Sequence, residues 1–226
     1  MSYHKIPEAT VARLPVYLRS LAESAKERTT MISSDLLALR AGVNAAQVRK
    51  DLSHLGSYGV RGVGYDVIYL IGQINRQLGL TEDRRVAIVG AGNLGRALLN
   101  YHGFAERGFH IMAAFDSDPT KIGQVVQSTV IRSVAEMGDA VVADKVAIAV
   151  ITTPPTVAQD LTDVLVAAGV VSILNFAPTV LAVPDHVTLR QVDLGIELQI
   201  LSFYEQQASD AARSDGFAQG AASDAG

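Results

Sequence analysis

Apolar and polar positions alternate with two different textures along the chain. Val11, Leu14, Leu18, Leu21 and Ala25 recur at three- and four-residue intervals and predict a helix over residues 8–27. Pro15 lies inside it and is expected to kink or restart it. Ser33 and Ser34 offer N-caps for a second helix over 35–41, which Gly42 ends. Asn44 can cap a third, from Ala45 to about Leu55. The glycines around SYGVRGVGYD (Gly56, Gly59, Gly62 and Gly64) predict a tight hairpin. Residues 66–78 read as helical again, and 79–83 as a linker.

From Arg84 the pattern changes. Apolar runs at 86–89, 109–115, 146–151 and 170–174 look like buried strands, with shorter ones at 129–131 and 187–192. Helical stretches near 93–106 and 155–168 separate them. This rhythm predicts a parallel, doubly wound sheet. Residues 195–207 read as a helix, and SDAARSDGFAQGAASDAG after it has no period and is expected to be a disordered tail. The predicted class is α/β. An N-terminal winged helix-turn-helix covers 1–80 and a Rossmann-like domain 84–194. A C-terminal helix follows over 195–208, then a tail over 209–226.

The chemistry available narrows the functions. Cysteine is absent from the 226 residues, which excludes disulfides, thiolate catalysis, Cys-rich zinc sites and Fe–S clusters. No metal site is expected, and any redox role must use a bound cofactor. No apolar run reaches ~18 residues, and the N-terminus lacks a basic patch followed by an apolar core. A soluble cytoplasmic protein without membrane contact is expected. Residues 1–80 hold ten Lys/Arg against six Asp/Glu, while 81–226 hold nine against seventeen. A basic N-terminal part beside an acidic remainder suggests different partners for the two.

At about 100° per residue, Ala45, Val48, Leu52 and Leu55 share one face of the third helix. Ala46, Gln47, Lys50, Ser53 and His54 point away, flanked by Arg49. Amide, hydroxyl, imidazole and cationic groups on one face suit the base edges and phosphates of a major groove. Tyr58 and Arg61 lie on the hairpin, where Arg61 could reach a neighbouring minor groove. The competing reading is a solvated amphipathic helix in a protein-interaction module.

The run VAIVGAGNLGRALLNY holds Gly90-x-Gly92-x-x-Gly95 between a strand and a helix. Gly90 permits the tight turn, Gly92 lets backbone approach a pyrophosphate, and Gly95 lets the helix pack closely. The loop Gly90, Ala91, Gly92, Asn93, Leu94, Gly95 would hold the phosphates on free N–H groups. Asp116 ends the next strand, where it can bind both adenosine ribose hydroxyls and repel a 2′-phosphate. NAD(H) is thus favoured over NADP(H). Thr152, Thr153 and Pro154 follow one strand and Asn175 and Phe176 another, so both segments can line the pocket.

Two enzyme-like alternatives stand beside this. A dehydrogenase needs a proton donor or acceptor beside the hydride acceptor, yet none of the seven tyrosines has Lys at the fourth following position. The histidines at 4, 54, 102, 110 and 186 are scattered, and no substrate domain remains. A CoA-binding module shares the doubly wound pattern, though Asp116 better suits a dinucleotide ribose.

RLPVYLR, AQVRKDLSHLGSYGVRGVGYDV, VGAGNLGRALLNYHGF, FDSDPTKIG, NFAP and QVDLGIELQ occur in order across residues 7–207. Together they resemble the Rex family of redox-sensing transcriptional repressors. His54, Leu55 and Tyr58 stand where relatives often carry aromatic residues, a mild departure. The resemblance implies a homodimer on an inverted-repeat double-stranded DNA operator. It implies that NAD+ is compatible with DNA binding and that NADH releases it. It places Gly90, Gly92 and Gly95 on the pyrophosphate, Asp116 on the ribose and Tyr101 near the nicotinamide. Arg13, Tyr101 and Asp193 would form a polar relay between pocket and DNA-binding domain. The helix after Gly195 would swap onto the partner subunit. NADH would then stabilise a closed dimer whose recognition helices no longer match successive turns of DNA, about 34 Å apart.

Overall fold

The computed structural model describes residues 6–56, 59–60 and 62–223. The chain divides into two compact units at Asp83 and Arg84.

The N-terminal unit contains α1 (Glu8–Lys26), β1 (Met31–Ile32), α2 (Ser34–Ala41), α3 (Ala45–Ser53), β2 (Gly59–Val60), β3 (Gly64–Asp66) and α4 (Val67–Gln77). α1 runs on through Pro15 as one helix and does not restart there. Pro15 is exposed, while Leu14, Tyr17 and Leu21 on the other side are fully buried. Burial of that stripe offsets the missing N–H. Both helix-turn-helix caps form. Ser33 Oγ accepts from the Leu36 N–H at 3.1 Å, and Asn44 Oδ1 from the Gln47 N–H at 2.8 Å. Gly42, at φ +69°, ends α2 in the left-handed region. The hairpin carries an additional strand: β1 pairs antiparallel with β3, giving the order β1-β3-β2. Two residues are too few to show an alternation, so β1 had no signal in the sequence. One core, including Leu14, Leu21, Ile32, Leu37, Val48, Leu52, Leu70 and Ile74, joins the helices to this sheet.

The second unit contains β4 (Arg84–Val89), α5 (Asn93–Leu99), β5 (Phe109–Asp116), β6 (Val125–Val126) and β7 (Thr129–Ser133). It continues with α6 (Met137–Ala143), β8 (Ile148–Ile151), α7 (Pro155–Ala167), β9 (Ser172–Asn175), β10 (Thr188–Gln191) and α8 (Leu194–Ser223). The sheet order is β10-β9-β8-β4-β5-β7-β6, parallel except for the β6–β7 edge pair. Its strands are apolar on both faces. Ala87, Val89, Phe115 and Ile151 face one core; Val86, Ile88, Ile131 and Val150 face the other.

Three elements depart from the periodicity. The helix expected over 93–106 stops at Leu99, and a 3₁₀ turn follows at Ala105–Arg107. α6, with Met137, Ala140 and Val141 buried, is too short for its period to stand out. α8 extends to Ser223 where a disordered tail over 209–226 was expected. Alanines 208, 211, 212, 218, 221 and 222 supply helix propensity there without an apolar stripe.

Candidate functional site

In the second unit the chain leaves β4 towards β5 and β7, then returns to pair β8 on the other side. The connections diverge at the carboxyl ends of β4 and β8, the switch point where open α/β sheets bind their ligands. Val89 pairs with Ile151 on one side and Phe115 on the other. The following loops are stitched together: the Gly90 N–H donates to Phe115 O, and Thr152 Oγ1 donates to Gly90 O at 2.7 Å.

The three glycines have separate steric reasons. Gly90 sits at φ +101°, and a Cβ on it would lie 2.9 Å from Thr152 O. A Cβ on Gly95 would lie 1.9 Å from Gly90 O, so only glycine lets α5 start this close to the turn. A Cβ on Gly92 would meet nothing within 4 Å. Protein packing alone therefore does not require glycine at 92, where the loop borders open space. Thr153 Oγ1 is buried beside this loop with no hydrogen-bond partner among the described residues. Both observations fit a phosphate-bearing ligand.

Asp116 is buried at the end of β5. Its Oδ2 accepts from the Ala91 N–H at 2.7 Å and from Lys121 Nζ at 3.1 Å; its Oδ1 accepts from the Asp118 N–H at 2.9 Å. Burial alone would raise the carboxyl pKa. The Asp118 N–H, Lys121 and the Ala91 N–H together outweigh burial and hold it below the ordinary carboxylate range. Three of about four acceptor positions are taken. One ribose hydroxyl can use the free position on Oδ1; the second needs the place that Lys121 holds.

The remaining residues expected at this pocket have different surroundings. Ala91 is buried, and Asn93 and Leu94 are exposed on the first turn of α5. Pro154 is exposed just before α7, and half-buried Phe176 packs on the core beneath. Asn175 is fully buried, and its amide is spent within the chain. It donates to Ala177 O, Thr179 O and Gln191 Oε1, and accepts from the Ala177 N–H. It shapes the loop rather than offering a free group. Tyr101 is half exposed and edge-on to Phe104, with ring centroids 5.0 Å apart. Asp193 Oδ1 accepts from the Gly195 N–H at 2.8 Å at the start of α8.

In the N-terminal unit, α3 buries Val48 and Leu52 and exposes Arg49, Lys50 and Ser53. Arg49 Nη1 donates to Ser34 Oγ at 2.9 Å, at the start of α2. A groove of about 480 Å³ lies between Ser33–Asp35, Arg49 and the β2–β3 hairpin. Ser53 Oγ donates to Lys50 O, and His54 is a half-buried C-cap. Tyr58 and Arg61 lie outside the described residues.

Gln47 and Arg13 converge on a residue that the sequence reading passed over, Asp51. This carboxylate is fully buried. Burial would raise its pKa, but hydrogen bonds from Arg13, Tyr17, Gln47 and Thr10 hold it far below the ordinary range. Arg13 is thus committed within its own unit, through Nε and Nη2. A signal for Asp51 did exist: the angle that turns Leu55 inward turns Asp51 towards the same side. Lys121 had no such signal, because its contact depends on the loop after β5.

Among the described residues there is no cluster of three or more His, Asp or Glu suited to a metal, and no helix long and apolar enough to cross a membrane.

Residues 5–53 match the family model "Putative DNA-binding protein N-terminus", and 81–179 match the CoA binding domain model. The chain is 59% identical over 203 residues to the redox-sensing transcriptional repressor Rex of Streptomyces griseus subsp. griseus, covering 89% of this chain and 80% of that protein. Identity to the repressor Rex of Desulfitobacterium hafniense is 48% over 199 residues, 88% and 95% of the two chains. The structure of RSP with beta-NAD+ and operator DNA aligns at TM-score 0.87 and 35% identity, over 93% of this chain and 97% of that one. RSP with beta-NADH aligns at 0.84 and 34%, over 92% and 98%.

Proposed function

The chain belongs to the Rex family of redox-sensing transcriptional repressors, and we propose on that premise that it reads the NADH/NAD+ ratio as a DNA-binding homodimer of the cytoplasm. It carries out no catalysis. With NAD+ it holds an inverted-repeat operator; when NADH occupies the second unit it lets go. The observation that carries this reading is the joint presence of a helix-turn-helix with a polar outer face and a glycine loop at a switch point, closed by Asp116.

The two nicotinamides differ in charge. NAD+ carries a positive ring and NADH a neutral one, so an apolar pocket favours NADH and a nearby carboxylate favours NAD+. A ligand moves an equilibrium only by its differential affinity for the two states. Shifting a dimer from 1:99 to 99:1 takes roughly 5.5 kcal/mol, which two coupled sites can share. Gly90, Gly92 and Gly95 would take the pyrophosphate, assisted by the backbone at Ala91, Asn93 and Leu94. Asp116 would take the ribose, and Thr153, Pro154 and Phe176 would border the ring, with Tyr101 near it. Gln47, Arg49, Lys50, Ser53 and His54, with Tyr58 and Arg61, would face DNA. Tyr101 and Asp193 would couple the pocket to the DNA-binding unit. Arg13 would contribute through Asp51 and α3.

The second copy has a physical motive in α8. Leu194, Ile196, Leu198, Ile200, Leu201, Phe203 and Tyr204 are all exposed, around more than half of the helix. A helix apolar over that much of its circumference needs cover, and a swapped helix in a homodimer provides it.

Titration of NADH into the protein–operator complex at fixed NAD+ tests the proposal. Release is expected; equal operator affinity at every coenzyme ratio would overturn it. Asp193→Ala and Tyr101→Phe are expected to blunt NADH-driven release, and unchanged release in both would refute the coupling. The family match over 81–179 favours one rival, CoA as the ligand. NADH binding unaffected by excess CoA sets that rival aside.

A further inference from the structure

The amide of Gln47 is held. Its Nε2 donates to Asp51 Oδ1 at 2.8 Å, one turn further along α3. The same carboxylate accepts from Thr10 Oγ1 at 2.9 Å, Arg13 Nε at 2.6 Å, Arg13 Nη2 at 2.8 Å and Tyr17 Oη at 2.7 Å. All three of those residues lie on α1. Asp51 is fully buried and fixed from three sides, so it cannot turn away from Gln47.

A carboxylate only accepts hydrogen bonds. Of the two ends of the Gln47 amide, only the NH2 end can face it; the carbonyl end would be repelled. The order is therefore set by charge, with Nε2 towards Asp51 and Oε1 away from it. Gln47 is the third residue of α3, and the first turns of a recognition helix are those that meet base edges. We propose that Asp51 is a specificity-determining positioning residue, fixing the donor–acceptor order in which Gln47 meets DNA. This rests on the reading of α3 as a recognition helix.

The order has a chemical consequence. In the major groove adenine offers its N6 amine beside N7, and cytosine offers its N4 amine. Guanine presents two acceptors, and thymine a carbonyl and a methyl group. An outward carbonyl pairs with an amine-bearing base and rejects guanine and thymine. The second N–H of Gln47 remains for N7, which favours adenine. In Asp51→Asn the new side chain has an NH2 of its own. It can donate to Gln47 Oε1, and the amide can then turn its donors outward.

The test is selection of binding sites from a randomised inverted-repeat duplex library, in NAD+, by the full chain and four variants. Wild type is expected to select an amine-bearing base at the position read by Gln47, the position whose preference Gln47→Ala alone erases. Asp51→Asn is expected to lower that preference about tenfold, with guanine or thymine gaining and the other positions kept. Tyr17→Phe removes another donor from the same carboxylate; it is expected to melt at lower temperature yet select the wild-type base. Gln47→Glu, which can only accept, is expected to keep an amine-bearing base. It decides the matter should Asp51→Asn fail to fold. An unchanged site for Asp51→Asn, or an even relaxation at every position, overturns the proposal. So does a switch to an amine-bearing base in Gln47→Glu, because the carbonyl then did not face outward before. If wild type selects no common sequence, the DNA-reading assignment itself falls first.

Discussion

Each unit of the chain is organised around one buried aspartate with a lowered pKa, and the two are used in opposite ways. Asp51 is saturated: five hydrogen bonds from Thr10, Arg13, Tyr17 and Gln47 leave it no capacity for a ligand. Asp116 accepts three, from Ala91, Asp118 and Lys121, and keeps a position open beside a loop whose central glycine faces empty space. The first is an anchor that orients other side chains; the second keeps the capacity to make a contact of its own. A low carboxyl pKa is common to both and does not tell them apart. Counting the acceptor positions still open does.

The largest expected effect breaks the anchor. Asp51→Ala leaves buried donors on α1 unpaired and should destabilise the N-terminal unit by about 3–5 kcal/mol. Operator binding is expected to vanish while NADH binding by calorimetry persists, because the coenzyme unit has its own cores. Loss of both would mean that the units do not fold independently.

The next effect breaks the contact side. Gly95→Ala drives a methyl group against Gly90 O, with about 1–3 kcal/mol of strain and up to about hundredfold weaker NADH binding. Gly92→Ala meets no protein atom. It should leave the melting temperature unchanged and weaken NADH binding about tenfold, or 1.4 kcal/mol. A melting temperature that falls for Gly92→Ala would show that its open space is structural.

Acid sharpens the comparison. The folded-state pKa of Asp51 is depressed, so its stabilising contribution is complete above the unfolded value of about 3.9. It is lost as pH falls below that towards the folded value. Thermal melts of wild type and Asp51→Asn should therefore differ at pH 5 and converge towards pH 2. A constant gap would exclude the ionised carboxylate as the source.

The smallest effect concerns Lys121. Its ion pair with Asp116 is partly exposed and worth at most about 1 kcal/mol. Lys121→Met frees the second acceptor position and restores the full negative charge. It should alter NADH affinity only severalfold and increase discrimination against NADPH. Improved NADPH binding would contradict the assignment of Asp116 to the ribose.

Much of this was legible in the residues. The glycine spacing, the strand before it and the acidic end of β5 are local features, and they located the strand–turn–helix at the switch point. Ser33, Asn44 and Gly42 announced the helix-turn-helix. What escaped was non-local. All partners of Asp51 but Gln47 lie 34 to 41 residues earlier in the chain, on α1. A charged residue on an amphipathic helix reads by default as solvated; the helical angle placed Asp51 on the inner side, but only the structure shows the α1 donors that hold it there. Asn175 shows the opposite case: its place at a strand end suggested a ligand, but its NH2 and one lone pair of its carbonyl are used by the loop it closes. The helicity beyond Gln207 comes from alanine, which leaves no amphipathic pattern to detect.

The uncovered apolar side chains of α8 have a consequence for abundance. Where a second copy supplies the cover, folded lifetime depends on how many copies the cell holds. Dilution then threatens survival as well as occupancy, and a poorly expressed repressor would be lost faster than gene dosage alone predicts.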